Sequence, residues 1–155
     1  MSSWTYQGQL FDPEEASKWF GCVYLITNLD NNRKYIGRKC FTAAGRKTVK
    51  GKVKKIRKDS DWLTYYGSSD ELKADVAKLG KDKFTREIVK LVKTRGELNY
   101  WETKYIIDAE AILRSSYYNG WFSAKIHSGH VKSLWIDDRE LDDENADGSN
   151  VGTGI

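Results

Sequence analysis

Two short apolar segments, separated by a cluster of asparagine and aspartate residues, constrain the fold of this chain most strongly. They are residues 22–27 and 34–37, and the six residues between them read Asn-Leu-Asp-Asn-Asn-Arg. β-Branched and aromatic residues favour strands, whereas Asn and Asp favour the turn that joins two strands. The pattern therefore predicts an antiparallel β-hairpin with a loop of several residues.

The register of this hairpin decides which side chains meet. Side chains alternate between the two faces of a strand, and directly opposed residues of an antiparallel pair share a face. Tyr24 and Tyr35 therefore lie on one face in a register that pairs Tyr24 with Gly37. That register places the two cysteines, Cys22 and Cys40, on opposite faces. We therefore predict free thiols, which fit a reducing compartment.

A helix is predicted shortly after the hairpin, over residues 70–79. Apolar side chains recur there at helical spacing, Ser68 and Glu71 form a capping-box pattern, and Gly80 follows as a C-terminal cap. The capping-box pattern, the apolar spacing and the glycine cap agree on the bounds of this helix. It is the first of two helices expected beside the sheet.

Four further segments complete the secondary-structure prediction. Residues 84–92 read as a third strand, and residues 97–114 have the apolar period of the longest helix. Residues 38–58 are strongly basic with few apolar side chains, which indicates an exposed loop followed by a weak helix. Residues 117–134 read as irregular structure or short strand.

These elements predict an α/β (α+β) domain with a small three-stranded, mainly antiparallel sheet flanked by helices. The length of 155 residues allows one ordinary domain. We divide it into an N-terminal leader with a short helix at residues 1–20, a domain at 21–136 and an acidic tail at 137–155. The tail has no apolar pattern, so we expect it to be flexible and disordered.

The charge of the chain is distributed unevenly. The formal net charge is +4, but residues 137–155 hold seven acidic residues and one arginine, which leaves +10 on residues 1–136. An excess of one sign on a small body favours a polyanionic partner such as nucleic acid. The alternative is a solvated basic face without a partner.

The hairpin carries two tyrosine triplets, Cys22-Val23-Tyr24 and Tyr35-Ile36-Gly37. Paired triplets at this spacing resemble the signature of the GIY-YIG nucleases, although Cys22 stands where a glycine is usual. The motifs Ser60-Asp61-Trp62 and Tyr65-Tyr66-Gly67-Ser68-Ser69 resemble a phage-type, homing-endonuclease-like branch of that family. The resemblance covers roughly residues 21–119.

The resemblance implies a DNA endonuclease that depends on Mg²⁺ or Mn²⁺ and needs no organic cofactor. By the same resemblance, Tyr24 orients or deprotonates the attacking water and Tyr35 hydrogen-bonds beside it. Glu102 stands where the family places its metal-binding glutamate, and Asn119 resembles a late asparagine of the family. The expected substrate is double-stranded DNA.

The position of Glu102 is also unusual when the family resemblance is set aside. On a helix its neighbours are Leu98, Tyr105 and Ile106, so its carboxylate falls within the apolar stripe. A buried charge without a partner costs several kcal/mol. We therefore expect either a metal ion or a salt bridge to a basic residue of segment 38–58.

A tyrosine that acts as a base needs a nearby cation to lower its pKa, so an arginine is expected in the site. Counting forward from Tyr35 favours Arg46, counting back from residues 66–68 favours Arg57, and Arg38 is a third candidate. For each, a simple phosphate contact is the alternative. The residues expected to bind DNA are Arg38, Lys39, Lys47, Lys50, Lys52 and Lys54.

Two other classes of function compete with a nuclease. One is a non-catalytic nucleic-acid-binding module on the same scaffold, and the other is an RNA-binding protein that stacks bases on exposed aromatic side chains. His127 and His130 read as surface or phosphate-contacting residues. We expect a cytoplasmic location, in the host cytoplasm if the chain is phage-encoded, and no membrane partner. A homodimer or a protein partner stays open.

Overall fold

The computed structural model describes residues 3–138, which form one mixed sheet, a separate two-stranded ribbon and helices. The strands are β1 (Trp4–Tyr6), β2 (Gln9–Leu10), β3 (Gly21–Asn28), β4 (Lys34–Cys40), β5 (Thr42–Val49), β6 (Lys52–Asp59) and β7 (Phe84–Val92). The α-helices are α1 (Asp70–Leu79) and α2 (Arg95–Asp108), and short 3-10 helices cover Pro13–Lys18, Trp62–Thr64, Lys81–Lys83, Ala111–Leu113 and Ser128–Leu134. Most of the acidic tail lies outside the described residues.

The main sheet has five strands in the order β2-β1-β7-β3-β4, so the prediction of three strands was wrong. The leader supplies the two additional strands, and β1 pairs in parallel with β7, which makes the sheet mixed. A strand of three residues is too short to show alternation in a sequence. Trp4 anchors β1, because its ring is buried against Tyr24. The short helix of the leader forms as predicted.

The predicted hairpin is confirmed, including its register. Strands β3 and β4 pair antiparallel, with Tyr24 opposite Gly37 and Ile26 opposite Tyr35. Cys22 pairs with a neighbour of Cys40, so the thiols point to opposite faces and both are free. The register expected if Tyr24 and Tyr35 share a face is therefore the one that forms.

Both predicted helices form, and the bounds of α2 differ from the prediction. α1 matches the predicted bounds, but its N-terminal cap is Ser69, whose hydroxyl accepts a hydrogen bond from the Leu72 amide at 3.3 Å. α2 ends at residue 108, six residues before the predicted end. Glu110 adopts a left-handed conformation with φ of 52°, which a helix cannot continue through.

Residues 38–58 form strand rather than the predicted loop and weak helix. β4 continues to Cys40, and β5 and β6 then pair with each other over eight residues. The turn is Lys50-Gly51, where both residues have positive φ (51° and 74°), as a two-residue hairpin turn of type I′ requires. The sequence concealed this hairpin, because neither of its faces is a buried apolar face from which alternation could be read.

Two buried clusters lie on opposite faces of the main sheet. One contains Tyr24 and Ile26 of β3 with Phe41 and Trp62, and the other contains Val23 of β3 with side chains of α2. Helix α2 therefore covers one face, and the segment between the ribbon and α1 covers the other. No helix among the described residues is long and apolar enough to cross a membrane.

Candidate active site

A cavity of about 550 Å³ opens at β4, the edge strand of the main sheet. Because the cavity is at an edge, it collects side chains from both faces: Tyr35 from the face of the tyrosine cluster and Glu102 from helix α2 on the other. Arg38 comes from β4 itself. The remaining lining residues are Ile36, Tyr65, Ser68, Ser69, Asp70, Ile106, Tyr118, Asn119, Gly120, Trp121, Phe122 and Ser123.

Asn119 completes the exposed edge of β4. Its side-chain amide donates to the Ile36 carbonyl oxygen at 2.8 Å, and its side-chain oxygen accepts from the Ile36 amide at 3.0 Å. One side chain thus replaces the neighbouring strand that an edge residue lacks. The Lys34 carbonyl oxygen accepts a hydrogen bond from the Tyr118 amide at 2.7 Å just before it. The late asparagine expected from the resemblance therefore lies in the site and fixes the strand that carries Tyr35.

Tyr24 lies behind the cavity and does not line it. Its side chain is fully buried (0% exposed), and its ring packs against Trp4, Tyr35 and Tyr65 at centroid distances of 5.5, 6.2 and 6.0 Å. The ring lies over Gly37, where a Cβ atom would collide with the Tyr24 hydroxyl oxygen. The Tyr24 ring therefore occupies the space that a side chain at position 37 would fill.

Burial keeps both signature tyrosines protonated. It raises the pKa of Tyr24 well above its ordinary value, and Tyr65 raises that pKa further through charge repulsion and a hydrogen bond. It also raises the pKa of Tyr35, although a 2.7 Å hydrogen bond with the Ser68 hydroxyl opposes the effect. Both phenols are therefore neutral near pH 7 and act as hydrogen-bonding groups.

Tyr65 lies at the cavity, although from the sequence it was only part of a family-like motif with no assigned role. It lines the cavity and touches Tyr24 at its back, so it joins the two parts of the tyrosine cluster. Lys39 lies over its ring at 4.0 Å and forms an ion pair with Asp61 at 2.5 Å. The Lys39 ammonium group therefore already contacts two residues of the protein itself. The signal that could have found Tyr65 was its motif, Tyr65-Tyr66-Gly67-Ser68-Ser69.

Arg86 holds this tyrosine segment in place and was not expected from the sequence. Its guanidinium is buried (2% exposed), and it donates hydrogen bonds to the Leu63 and Tyr65 carbonyl oxygens at 2.9 and 3.0 Å. It lies between the rings of Trp4 and Tyr66, at 4.7 and 4.2 Å from their centroids. Burial lowers its pKa. In the sequence it is an ordinary arginine within a strand, and only the tertiary structure shows its partners.

Glu102 presents its carboxylate to the cavity, with its side chain 22% exposed. Burial raises its pKa, and Arg38 opposes that rise. The Arg38 Nε atom lies 3.9 Å from the Glu102 Oε1 atom, which is a long ion pair, and the Arg38 side chain is 46% exposed. Either a metal ion or a basic residue was expected beside this carboxylate, and the structure shows the basic residue. At this distance Arg38 neutralises the charge of the carboxylate only in part.

The donor set at Glu102 is suited to a hydrated metal ion. Among residues 3–138, no group of three or more His, Cys, Asp or Glu side chains could enclose a metal. Mg²⁺ commonly binds one or two carboxylates, keeps several waters and takes further ligands from substrate phosphates. Two carboxylates, Glu102 and Asp70, line the cavity, and that of Glu102, whose pKa is raised by desolvation, fits such an ion.

The other predicted site residues lie on the ribbon, away from this cavity. Arg46 is exposed on β5, and Arg57 on β6 donates to the Thr42 hydroxyl and carbonyl oxygens at 2.9 and 2.8 Å. Lys47, Lys50, Lys52 and Lys54 are on the same ribbon. The structure therefore brings Arg38, rather than Arg46 or Arg57, next to Tyr35 and Glu102. His130 lies in the 3-10 helix Ser128–Leu134 and His127 caps it, and neither histidine lines the cavity.

One of the three comparisons with known proteins found a match. A family model described as "Putative endonuclease segE, GIY-YIG domain" matches residues 4–122. Neither the curated proteins nor the solved structures compared with the chain contain a match. The matched region covers more than half of the chain and includes both tyrosine triplets, Arg38, Glu102 and Asn119. The chain therefore belongs to the GIY-YIG nuclease family.

Proposed function

We propose that this protein hydrolyses phosphodiester bonds of double-stranded DNA at the cavity beside β4, with Mg²⁺ as its metal ion. The observation that carries the proposal is the meeting of Tyr35, Arg38 and Glu102 at one edge of the sheet. These residues come from two strand faces and a helix, yet they line a single cavity. Hydrolysis of a phosphodiester needs an oriented water, neutralisation of the phosphate charge and assistance to the leaving oxygen.

Arg38 supplies the positive charge in this proposal. Its guanidinium lies at the cavity, half exposed, and its ion pair with Glu102 is long enough to leave donors for a phosphate oxygen. Arginine binds phosphate with several donors in a fixed plane, and it stays charged at every physiological pH. We therefore assign to Arg38 the arginine function for which Arg46 and Arg57 were also candidates.

Tyr35 orients the attacking water as a neutral phenol. Its hydroxyl lines the cavity and already forms one hydrogen bond with Ser68, which fixes its direction. Its raised pKa argues against a phenolate that would act as a base. Tyr24 is a positioning residue in this scheme, because its buried ring fixes Tyr35 and Tyr65 from behind.

Glu102 is the residue that would hold the metal ion. A Mg²⁺ ion at this carboxylate supplies Lewis-acid stabilisation of the phosphate and of the leaving oxygen. Asn119 does not touch the substrate in this proposal. Through Ile36 it keeps β4, and with it Tyr35 and Arg38, in register against the cavity.

The test is cleavage of supercoiled plasmid by the purified protein, with Mg²⁺ or with EDTA. We expect nicked or linear products only with Mg²⁺, and we expect Glu102→Gln and Arg38→Gln each to reduce the rate at least about 100-fold, as loss of one preorganised charge-stabilising group does elsewhere. Glu87→Gln is the matched control, because Glu87 is exposed on β7 and does not line the cavity. Undiminished cleavage by Glu102→Gln, or no Mg²⁺-dependent cleavage by the natural chain, would refute the proposal.

The competing function is binding of nucleic acid without cleavage, and the basic ribbon is the observation that favours it. A binding module has no need for a desolvated carboxylate, whose charge would repel a phosphate. It would bind DNA in EDTA and give no nicked plasmid under any metal condition. Its affinity would also increase when Glu102 is changed to Gln, since a repulsive charge is removed.

A further inference from the structure

The β5–β6 ribbon has an unusual concentration of free positive charge. Strand β5 covers Thr42–Val49, strand β6 covers Lys52–Asp59, and they pair only with each other. Among the described residues, eight basic side chains of this ribbon and its turn form no ion pair; they are Arg46, Lys47, Lys50, Lys52, Lys54, Lys55, Arg57 and Lys58. Arg57 differs, because it is hydrogen-bonded to Thr42 at the base of the ribbon.

Like charges face each other across the two strands. Arg46 is directly opposite Lys55, and Lys47 is directly opposite Lys54. Opposed like charges destabilise a sheet by up to about 1 kcal/mol per pair. A ribbon that was only a structural element would gain stability from opposite charges at these positions. The arrangement is favourable when a polyanion lies next to the ribbon.

The two like-charge pairs lie on opposite faces of the ribbon. Directly opposed residues share a face and consecutive pairs alternate, so Arg46 with Lys55 forms one face and Lys47 with Lys54 forms the other. A ribbon that lies flat on a polyanion would need cations on one face only. Cations on both faces can contact anions on both sides, which is the environment inside a groove between two phosphate backbones.

We propose that the β5–β6 ribbon inserts into the major groove of duplex DNA and directs the scissile strand to the cavity. The major groove is about 12 Å wide and admits a two-stranded ribbon, whereas the minor groove, about 6 Å wide, does not. The eight-residue strands extend about 24 Å, at roughly 3.4 Å per residue. The deep, narrow major groove of A-form RNA excludes a ribbon of this width.

The base of the ribbon connects it to the cavity. Strand β5 begins four residues after Arg38, and the Ser60 amide donates to the Phe41 carbonyl oxygen at 2.9 Å where the ribbon returns to the sheet. Arg57 closes this base through Thr42 and lies 5.6 Å from the Phe20 ring centroid. The ribbon therefore emerges next to the cavity edge. The inference rests on the proposed function only for the identity of the ligand as duplex DNA.

The test compares two double variants, one for each face: Arg46→Gln with Lys55→Gln, and Lys47→Gln with Lys54→Gln. Binding to a mixed-sequence duplex is measured by fluorescence anisotropy in EDTA, between about 50 and 200 mM salt. We expect each double variant to reduce the slope of log K against log salt by about 1.8, which is two lost phosphate contacts. The matched control, Lys73→Gln with Lys78→Gln on the exposed side of α1, should leave the slope unchanged.

A second measurement identifies the groove. Bound protein should protect guanine N7, in the major groove, from dimethyl sulfate and leave adenine N3, in the minor groove, reactive. Loss of slope in one face variant only, or protection of adenine N3 alone, would overturn the inference. All variants should melt at or slightly above the temperature of the natural chain, because a repulsive pair is removed.

These outcomes separate the ribbon from the catalytic proposal. A protein that cuts plasmid while both face variants keep the natural salt slope refutes the ribbon and leaves the active site intact. A protein that never cuts plasmid, but whose two face variants both lose slope and which protects guanine N7, refutes the active site and supports the ribbon.

Discussion

Replacement of Gly37 by alanine tests how the two tyrosine triplets fit together. Gly37 has no positive φ, so its backbone accepts an alanine without strain. The obstacle is space. A Cβ atom there would lie 2.5 Å from the Tyr24 Cζ atom and 2.8 Å from the Tyr35 Cε1 atom, and closer still to the Tyr24 hydroxyl oxygen.

The size of the effect follows from how little the tyrosine can move. Tyr24 is 0% exposed, and Trp4 and Tyr65 pack against its ring. Insertion of one methyl group into such a core costs about 1–3 kcal/mol. For a chain of this length each kcal/mol lowers Tm by roughly 2–4 °C, so the expected decrease is roughly 2–12 °C.

Thermal unfolding followed by circular dichroism measures this decrease, with Gly120→Ala as the matched control. Gly120 also lines the cavity, but a Cβ atom there has no neighbour within 4 Å, so its Tm should stay that of the natural chain. Gly37→Ala should also slow plasmid cleavage, because the tyrosine wall is displaced. A Gly37→Ala variant with natural Tm and natural cleavage would refute the close fit of Tyr24 over Gly37.

A double-mutant cycle identifies the atoms responsible. Tyr24→Phe removes the hydroxyl oxygen that is nearest to the added methyl group. Gly37→Ala should therefore cost less in the Tyr24→Phe background than in the natural chain, by about 0.5–3 kcal/mol, which is the range for residues in contact. Equal costs in the two backgrounds would mean that the methyl group strains some other part of the hairpin.

Three further predictions concern the site. Asn119→Leu leaves the Ile36 amide and carbonyl buried without partners, so it should lower the free energy of unfolding by about 2–6 kcal/mol in urea denaturation, at about 1–3 kcal/mol per group. Arg86→Met removes a buried charge that backbone carbonyl oxygens compensate. We expect a lower Tm and a lower kcat with little change in KM. A kcat equal to that of the natural chain would show that Arg86 has a purely structural role. The pKa of the Glu102 carboxyl group is raised in the folded state. Its contribution to stability is therefore present below about pH 4 and is lost as the pH rises through the folded-state pKa. Glu102→Gln should therefore have a Tm advantage that grows between pH 4 and pH 7, and a constant difference would contradict the raised pKa.

The sequence predicted the parts of this fold whose partners are near in the chain. The hairpin and helix α1 follow from strand-forming segments, turn residues and caps within about 20 residues of each other. Gly37 could be placed opposite Tyr24 because the two tyrosines were expected on one face of the hairpin. What local pattern could not show was why the position is glycine, since that depends on how deeply the Tyr24 ring is packed.

The features that were missed depend on partners far apart in the chain or on charge without burial. Strand β1 exists because Trp4 packs against Tyr24 and its backbone pairs with β7, more than 80 residues away. Arg86 has its role because the carbonyl oxygens of Leu63 and Tyr65 turn towards it. The ribbon lacks an apolar face, so the usual signal of a strand is absent. Its own signal was the Lys50-Gly51 turn, which has Thr48 and Val49 before it and Val53 after it.

The same distinction between local sequence pattern and tertiary structure applies to the residues of the site. Motif resemblance assigned the attacking water to Tyr24 and a neighbouring hydrogen bond to Tyr35, but the two tyrosines, on one face of adjacent strands, lie at different depths. Tyr35 lies on the edge strand, where only the 117–119 segment lies beyond it, so its hydroxyl reaches the cavity. Tyr24 lies one strand further in and is closed off by Trp4 from β1. A position within the sheet order, which no local pattern contains, therefore separates the tyrosine that lines the cavity from the tyrosine that packs behind it.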